Sequence, residues 1–180
     1  MTLLRYELDT RARILLVKFP EGWARTQNGF YTSAEELIVL EGTLEMSGLT
    51  IIAGDYGYFP AGWLRHDMRA PTEVLAFARF AGPARWTLGD DGSGDHTLRS
   101  LATTHPDHET PTGVGLSTTL HTQDPHDPST SLLVEGITPA VATSPTDLLD
   151  LTTFDWHWID QGATIPAVPR AFQRTREASS

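Results

Sequence analysis

The sequence predicts an all-β fold: one antiparallel barrel, with further strands supplied by the C-terminal half. Three observations predict it. Short runs rich in β-branched, leucine and aromatic residues recur at even spacing over residues 2–80. Clusters of Gly, Pro, Ser and Thr bound each run. No stretch there keeps a helical period beyond about two turns.

The elements follow in order. "ARILLVKF" (12–19), "EELIVL" (35–40), "GDYGYFP" (54–60) and "EVLAFARF" (73–80) read as strands. Turns fall at Glu21-Gly22, Ser47-Gly48, Gly54-Asp55 and Ala61-Gly62. After Phe80 the composition shifts to Gly, Asp, Thr, His and Pro, and a long connection is expected. Strands resume at "VGLSTTLHT" (114–122), "STSLLVEG" (129–136) and "LLDLTTFDWHWID" (148–160). The expected division is 1–82 for the barrel core, 83–113 for the connection, 114–168 for additional β-structure and 169–180 for a flexible tail. The middle part is either a degenerate second barrel or a cover. "SLLVEG" (131–136) echoes "LIVLEG" (37–42), and "GATIPAVP" (162–169) faintly echoes "GDYGYFPAG" (54–62).

Composition narrows the function. At 180 residues and 39% apolar, the chain can bury a sizeable core. A formal net charge of −10 argues against binding nucleic acid or an anionic membrane surface, both of which need cations. The absence of cysteine excludes disulfides, thiolate metal sites and cysteine nucleophiles. The N-terminal "MTLLRYELDTRARILLVKF" breaks its apolar runs with charges, so neither a secretory signal nor a spanning helix is expected. A cytoplasmic protein is the expectation. No nucleophile elbow, phosphate loop or dinucleotide fingerprint is present.

Two stretches carry a specific spacing. "EGWARTQNGFYTSAEELIVLEG" (21–42) sets Gly22, Asn28, Phe30, Glu35 and Gly42 in a frame. "GDYGYFPAGWLRH" (54–66) sets Gly54, Pro60, Gly62 and Arg65, with His66 next. Gly42 and Gly54 suit strand ends that need positive φ, and Pro60 suits a strand end because it cannot donate to a ladder. Together the stretches resemble the two motifs of the cupin superfamily, G-x5-H-x-H-x3,4-E-x6-G and G-x5-P-x-G-x2-H. The resemblance covers about residues 10–82 and is nearest to the short-linker, anti-sigma-factor-type cupin domains. It implies a cupin-type jelly-roll barrel whose centre holds a divalent metal on three histidines and one glutamate.

By that register the ligand positions are Asn28, Phe30, Glu35 and Arg65. Phe30 cannot ligate, Asn28 is a poor ligand for a transition metal, and Arg65 would repel the ion. Only Glu35 matches, so no cofactor is expected. The alternative is a zinc, iron, nickel or manganese ion on Glu35 and His66, with ligands borrowed from His121 and His157. It needs a bulge to turn His66 inward, since the period of two otherwise sends it to the opposite face.

A barrel mouth without metal is still a concave ligand site. Arg65 suits a carboxylate, enolate or phosphate, and Glu35 and His66 suit proton transfer. Of the adjacent pair, His66 is expected to be the working side chain because it titrates near neutral pH. Tyr31, Tyr56, Tyr58 and Trp63 would supply aromatic walls, with Asn28 and Phe30 beside them. In "FDWHW" (154–158) the aromatic face either covers the barrel, makes a dimer contact or closes the pocket with His157. Ile38 and Leu40, opposite in parity to Glu35, suit a sheet-on-sheet core or a homodimer.

Three functions fit these residues. The first is a metal-independent enzyme of isomerase, cyclase or lyase type acting on a small organic molecule. The second is a metal-dependent oxygenase or hydrolase with an irregular site. The third is a non-catalytic ligand sensor or interaction module.

Overall fold

The computed structural model describes residues 1–101, 108–109, 116–124, 127–137 and 139–175, all of them strand, turn or irregular backbone. His105, His126 and most of the connection beyond residue 101 lie outside the described residues. The chain divides into two compact units, Met1–Ala102 and Thr103–Ser180. Among the described residues no helix is long and apolar enough to cross a membrane.

The first unit holds β1 (Thr2–Tyr6), β2 (Arg13–Phe19), β3 (Ala24–Arg25), β4 (Gly29–Tyr31), β5 (Glu35–Glu41) and β6 (Thr43–Met46). It continues with β7 (Leu49–Ile52), β8 (Asp55–Phe59), β9 (Met68–Arg69), β10 (Val74–Phe80), β11 (Trp86–Leu88) and β12 (Thr97–Ser100). One sheet runs β1-β2-β10-β5-β8-β12 and a second runs β3-β9-β6-β7, while β4 pairs with β11. Every pairing is antiparallel.

Alternation along the strands builds the core. Leu37 and Val39 of β5, Val74, Ala76, Ala78 and Phe80 of β10, and Phe59 of β8 share one cluster. Leu44, Met46 and Ile51 join them from the β6–β7 hairpin. Six successive residues of β5 are buried, so both of its faces are covered, which is why "ELIVL" reads as a continuous apolar run. The second face carries Ile38, Tyr56 and Phe77, all fully buried. Its polar groups are matched: the Tyr56 hydroxyl donates to Glu36 Oε1 at 2.7 Å, and Arg79 Nη1 lies 3.6 Å from Glu36 Oε2. Ile38 and Leu40 are only 1% and 7% exposed in the single chain. Ile38 and Leu40 therefore leave little free surface in the single chain.

The second unit holds β13 (His108–Glu109), β14 (Leu116–Asp124), β15 (Asp127–Ile137), β16 (Ala140–Val141) and β17 (Thr146–Asp150). It ends with β18 (Trp156–Ile159), β19 (Thr164–Ile165) and β20 (Val168–Thr175). Its sheet runs β13-β14-β15-β20-β17-β18, with β16 paired to β19. The order β14-β15-β20-β17-β18 repeats β1-β2-β10-β5-β8, and β16-β19 repeats β3-β9. In both units a hairpin (β1–β2, β14–β15) is followed in the sheet by a late strand (β10, β20), which then pairs with a middle strand. The β6–β7 hairpin has no counterpart. Instead β17 turns straight into β18, held by Asp150 Oδ1, which accepts from the Thr152 and Thr153 amides at 2.7 and 3.3 Å.

The repetition is thus carried by strand order, but not on the alignment that the sequence echo suggests. "SLLVEG" lies on β15, the counterpart of β2, whereas the counterpart of β5 is β17. Short buried strands of similar composition are interchangeable to a sequence comparison. Two further expectations change. β11 and β12 lie within the segment read as a connection, and β20 pairs along most of its length with β15 and β17, where the tail was expected to start.

Gly42 and Gly54 have φ of +82° and +87°, as their places at strand ends require. Their surroundings differ. A Cβ on Gly42 would lie 2.0 Å from the Glu73 carbonyl oxygen, while one on Gly54 would meet nothing within 4 Å. Gly54→Ala is expected to cost about 1 kcal/mol of stability and Gly42→Ala about 3 kcal/mol. Urea unfolding of the two variants measures this, and equal costs would mean that the β5–β6 turn moves aside.

Candidate functional site

The candidate site lies inside the first unit. Arg65 and Glu35 are 3% and 6% exposed, and the Arg65 guanidinium donates from Nη1 to Glu35 Oε2. Glu35 is placed by β5, where it shares parity with the core residues Leu37 and Val39. Arg65 is placed by backbone pairing. Its N–H donates to the Gly29 carbonyl at 2.7 Å, and the Gly29 N–H donates back at 3.0 Å. The neighbours of Arg65 are pinned as well. The Ser47 hydroxyl donates to the Leu64 carbonyl at 3.0 Å and accepts from the His66 amide at 3.1 Å. These bonds fix the register with Arg65 inward and leave no bulge to swing His66 in.

Aromatic rings enclose the pair. The Arg65 guanidinium carbon lies 4.7 Å from the Tyr31 ring centre, 5.3 Å from Phe59 and 5.8 Å from Trp63. Tyr31 in turn meets Phe80 and Trp86 edge-on at 4.9 and 5.2 Å. A cavity of about 40 Å³ remains, lined by Tyr31, Glu35, Arg65, Trp23, Arg25 and apolar residues including Met46 and Met68. Two guanidinium nitrogens of the lining residues, Arg65 Nε and Arg25 Nη1, are buried without a hydrogen-bond partner. Unsatisfied buried donors are costly, and here they belong to two cations at one cavity.

Several expected members lie elsewhere. His66 is half exposed, and its Nδ1 lies 2.9 Å from Asp67 Oδ2, outside the cavity. Arg65, and not His66, is thus the inward side chain, as the motif's spacing has it and the preference for a titrating group does not. The Asn28 amide is exposed and donates to Asp90 Oδ1 at 2.7 Å. Phe30, paired with Thr87, alternates with the inward Tyr31 and does not line the cavity. The inward positions on this strand are Gly29 and Tyr31, one residue off the expected register. Gly29 leaves room that Trp86 fills, since a Cβ there would lie 2.8 Å from the indole ring and 2.3 Å from the Thr87 carbonyl oxygen. Tyr58 pairs with Glu36 on the opposite face of the sheet. Trp63 is buried as expected and packs on Phe59 at 4.7 Å. His121 and His157 belong to the second unit, on β14 and β18, and the His157 ring is exposed.

The sequence reading missed two residues of the cavity lining, Trp23 and Arg25. Arg25 lies over the Trp86 ring at 4.2 Å and near Trp23 at 5.9 Å.

A cupin-type metal needs several histidine or carboxylate donors converging on one point. The inward positions offer one carboxylate, already bonded to a guanidinium, beside a glycine, a tyrosine and an arginine. Among the described residues no three His, Asp or Glu side chains gather for an ion. The residues present do not fit the metal.

The strand order, the turn glycines and the buried inner face now bear comparison with known proteins. Among solved structures, a candidate dioxygenase from Nostoc punctiforme superposes with a TM-score of 0.69 at 13% identity, covering 97% of this chain and 68% of that one. The Ylba protein of E. coli superposes at 0.57 and 14% identity, covering 99% of this chain and 84% of its own. The fold is of the cupin type. A Cupin 2 conserved barrel domain protein from Leptotrichia buccalis is also similar, at a TM-score of 0.49 and 13% identity over 92% of this chain and 84% of that one. No protein-family model matches the sequence, and no curated protein matches it. Identities this low speak for the cupin fold and leave the chemistry to the site.

Removing one member of the buried pair strands the other. Arg65→Ala is expected to lower stability by about 3 kcal/mol, and the Glu35→Gln/Arg65→Met double variant by less than the sum of its singles. His66→Ala should change stability by no more than about 0.5 kcal/mol. Denaturant unfolding of the five variants decides; a large loss in His66→Ala would return that ring to the site.

Proposed function

We propose that the chain binds a small organic anion in the barrel of its first unit and acts on it without a metal. The observation that carries this reading is Arg65: almost wholly buried, ring-backed, lining a cavity, and left with an unpartnered Nε–H after its bond to Glu35. A fixed guanidinium in a dry site is suited to the planar oxygens of a carboxylate or enolate. Glu35 is the carboxylate beside it and the residue available to take or deliver a proton, so isomerisation, cyclisation or dehydration is the reaction class that fits. In this reading the histidines of the cupin motif have been replaced, and the charge that a metal would supply comes from arginine. The metal-dependent oxygenase or hydrolase has the donor set against it. A non-catalytic sensor would use the same pocket and is separated from an enzyme by the absence of turnover.

Calorimetry on protein purified through chelator tests the reading. Small carboxylates are expected to bind the chelated protein, and Arg65→Lys, which keeps the charge but not the fork, to bind about tenfold more weakly. His66→Ala should bind like the native chain. If binding instead requires about one added zinc, iron, nickel or manganese ion per chain, the metal-free reading fails.

A further inference from the structure

We infer that the ligand is a monocarboxylic acid whose single carboxylate is shared between Arg65 and Arg25, with its uncharged body lying in the groove outside the cavity. The inference rests on the anion reading above and adds the ligand class, a second contact residue and a direction of entry.

Charge counting comes first. Three charged residues line the cavity: Arg25, Glu35 and Arg65. Glu35 offsets Arg65, and Arg25 has no carboxylate partner among the described residues, so the lining carries one uncompensated positive charge. One negative charge on a ligand balances it, and two would overshoot. Donor counting agrees. Each arginine has one buried nitrogen without a partner, Nε on Arg65 and Nη1 on Arg25, and a carboxylate has two oxygens. The Trp86 ring, with its centre 4.2 Å from the Arg25 guanidinium carbon, backs that group.

The cavity of about 40 Å³ accommodates a carboxylate head and little more. Arg25, Met46 and Met68 also line a groove of about 600 Å³ on the β3-β9-β6-β7 side, a volume within the range of ordinary ligand pockets. Those three residues border both spaces, and in this inference the body of the ligand passes between them. The remaining charges of the groove are Glu45, which is bonded to Arg69, and Asp67. Arg69 is thus committed, and a second carboxylate in the groove would meet Asp67 without a free cation to receive it. Uncharged groups lie there without that penalty, against the thioethers and Leu49.

A matched six-carbon series tests the assignment on the full chain by isothermal calorimetry: hexanoate, adipate with a second carboxylate, and neutral hexanamide. Hexanoate is expected to bind at least about tenfold more tightly than either of the others. Arg25→Gln should weaken hexanoate about tenfold without moving the unfolding midpoint, and Arg25→Lys should fall between it and the native chain. Adipate binding as well as hexanoate would overturn the monocarboxylate class while leaving the anion reading in place. Native-like hexanoate binding by Arg25→Gln would remove Arg25 from the contact. Failure of all acids to bind at millimolar concentration would end both readings together.

Discussion

The bond between Arg65 and Glu35 is the interaction on which the first unit's interior is organised. Two ions are held where almost no water reaches, and each is tolerable only because the other is there. That requirement fixes the strands that carry them. β5 must present Glu35 inward, and so turns Leu37 and Val39 to the same side and Ile38 and Leu40 away. The segment around residue 65 must present Arg65, and so has to pair with Gly29 in one register, with Ser47 securing its neighbours. Tyr31, Phe59 and Trp63 then have a cation to pack around.

Much of the first unit was legible in the sequence. The runs at 12–19, 35–40, 54–60 and 73–80 correspond to β2, β5, β8 and β10 within a residue or two. The parity of β5 followed from the period of two alone. The site was legible only in part, and the reason is local. The expected positions 28 and 30 came from a fixed spacing, while the actual register is set by long-range partners, the pairing with Arg65 and the indole of Trp86, more than fifty residues away on β11. His66 was preferred for its chemistry, yet what decides orientation is which backbone groups are bonded. Arg25 escaped notice because a two-residue strand offers no period to read.

The second unit shows how a strand order can persist when its sequence signature does not. β14-β15-β20-β17-β18 keeps the topology with a core of its own, built from Val134, Leu148, Ile159, Val168 and Ala171 among others. What separates it from the first unit is the β6–β7 hairpin. In the first unit that hairpin brings Leu44, Met46 and Ile51 to the core and Met46 to the cavity wall. In the second unit the Asp150 turn takes its place. The hairpin that adds Leu44 and Met46 to the cavity lining is thus an insertion between two middle strands, and not part of the repeated frame.

The double burial of β5 bears on how such a chain can change over time. A strand with one wet face accepts substitutions there at little cost, and half of its positions drift. β5 has no such face: Glu35 to Leu40 each answer to one packed environment or the other. The permissive ground lies instead on the exposed strand positions and loops, such as Thr50 and Ile52 of the hairpin that borders the groove. A lineage of this protein could therefore retune what its groove accepts by changing residues that the barrel scarcely feels, while the ionic centre stays locked by its neighbours.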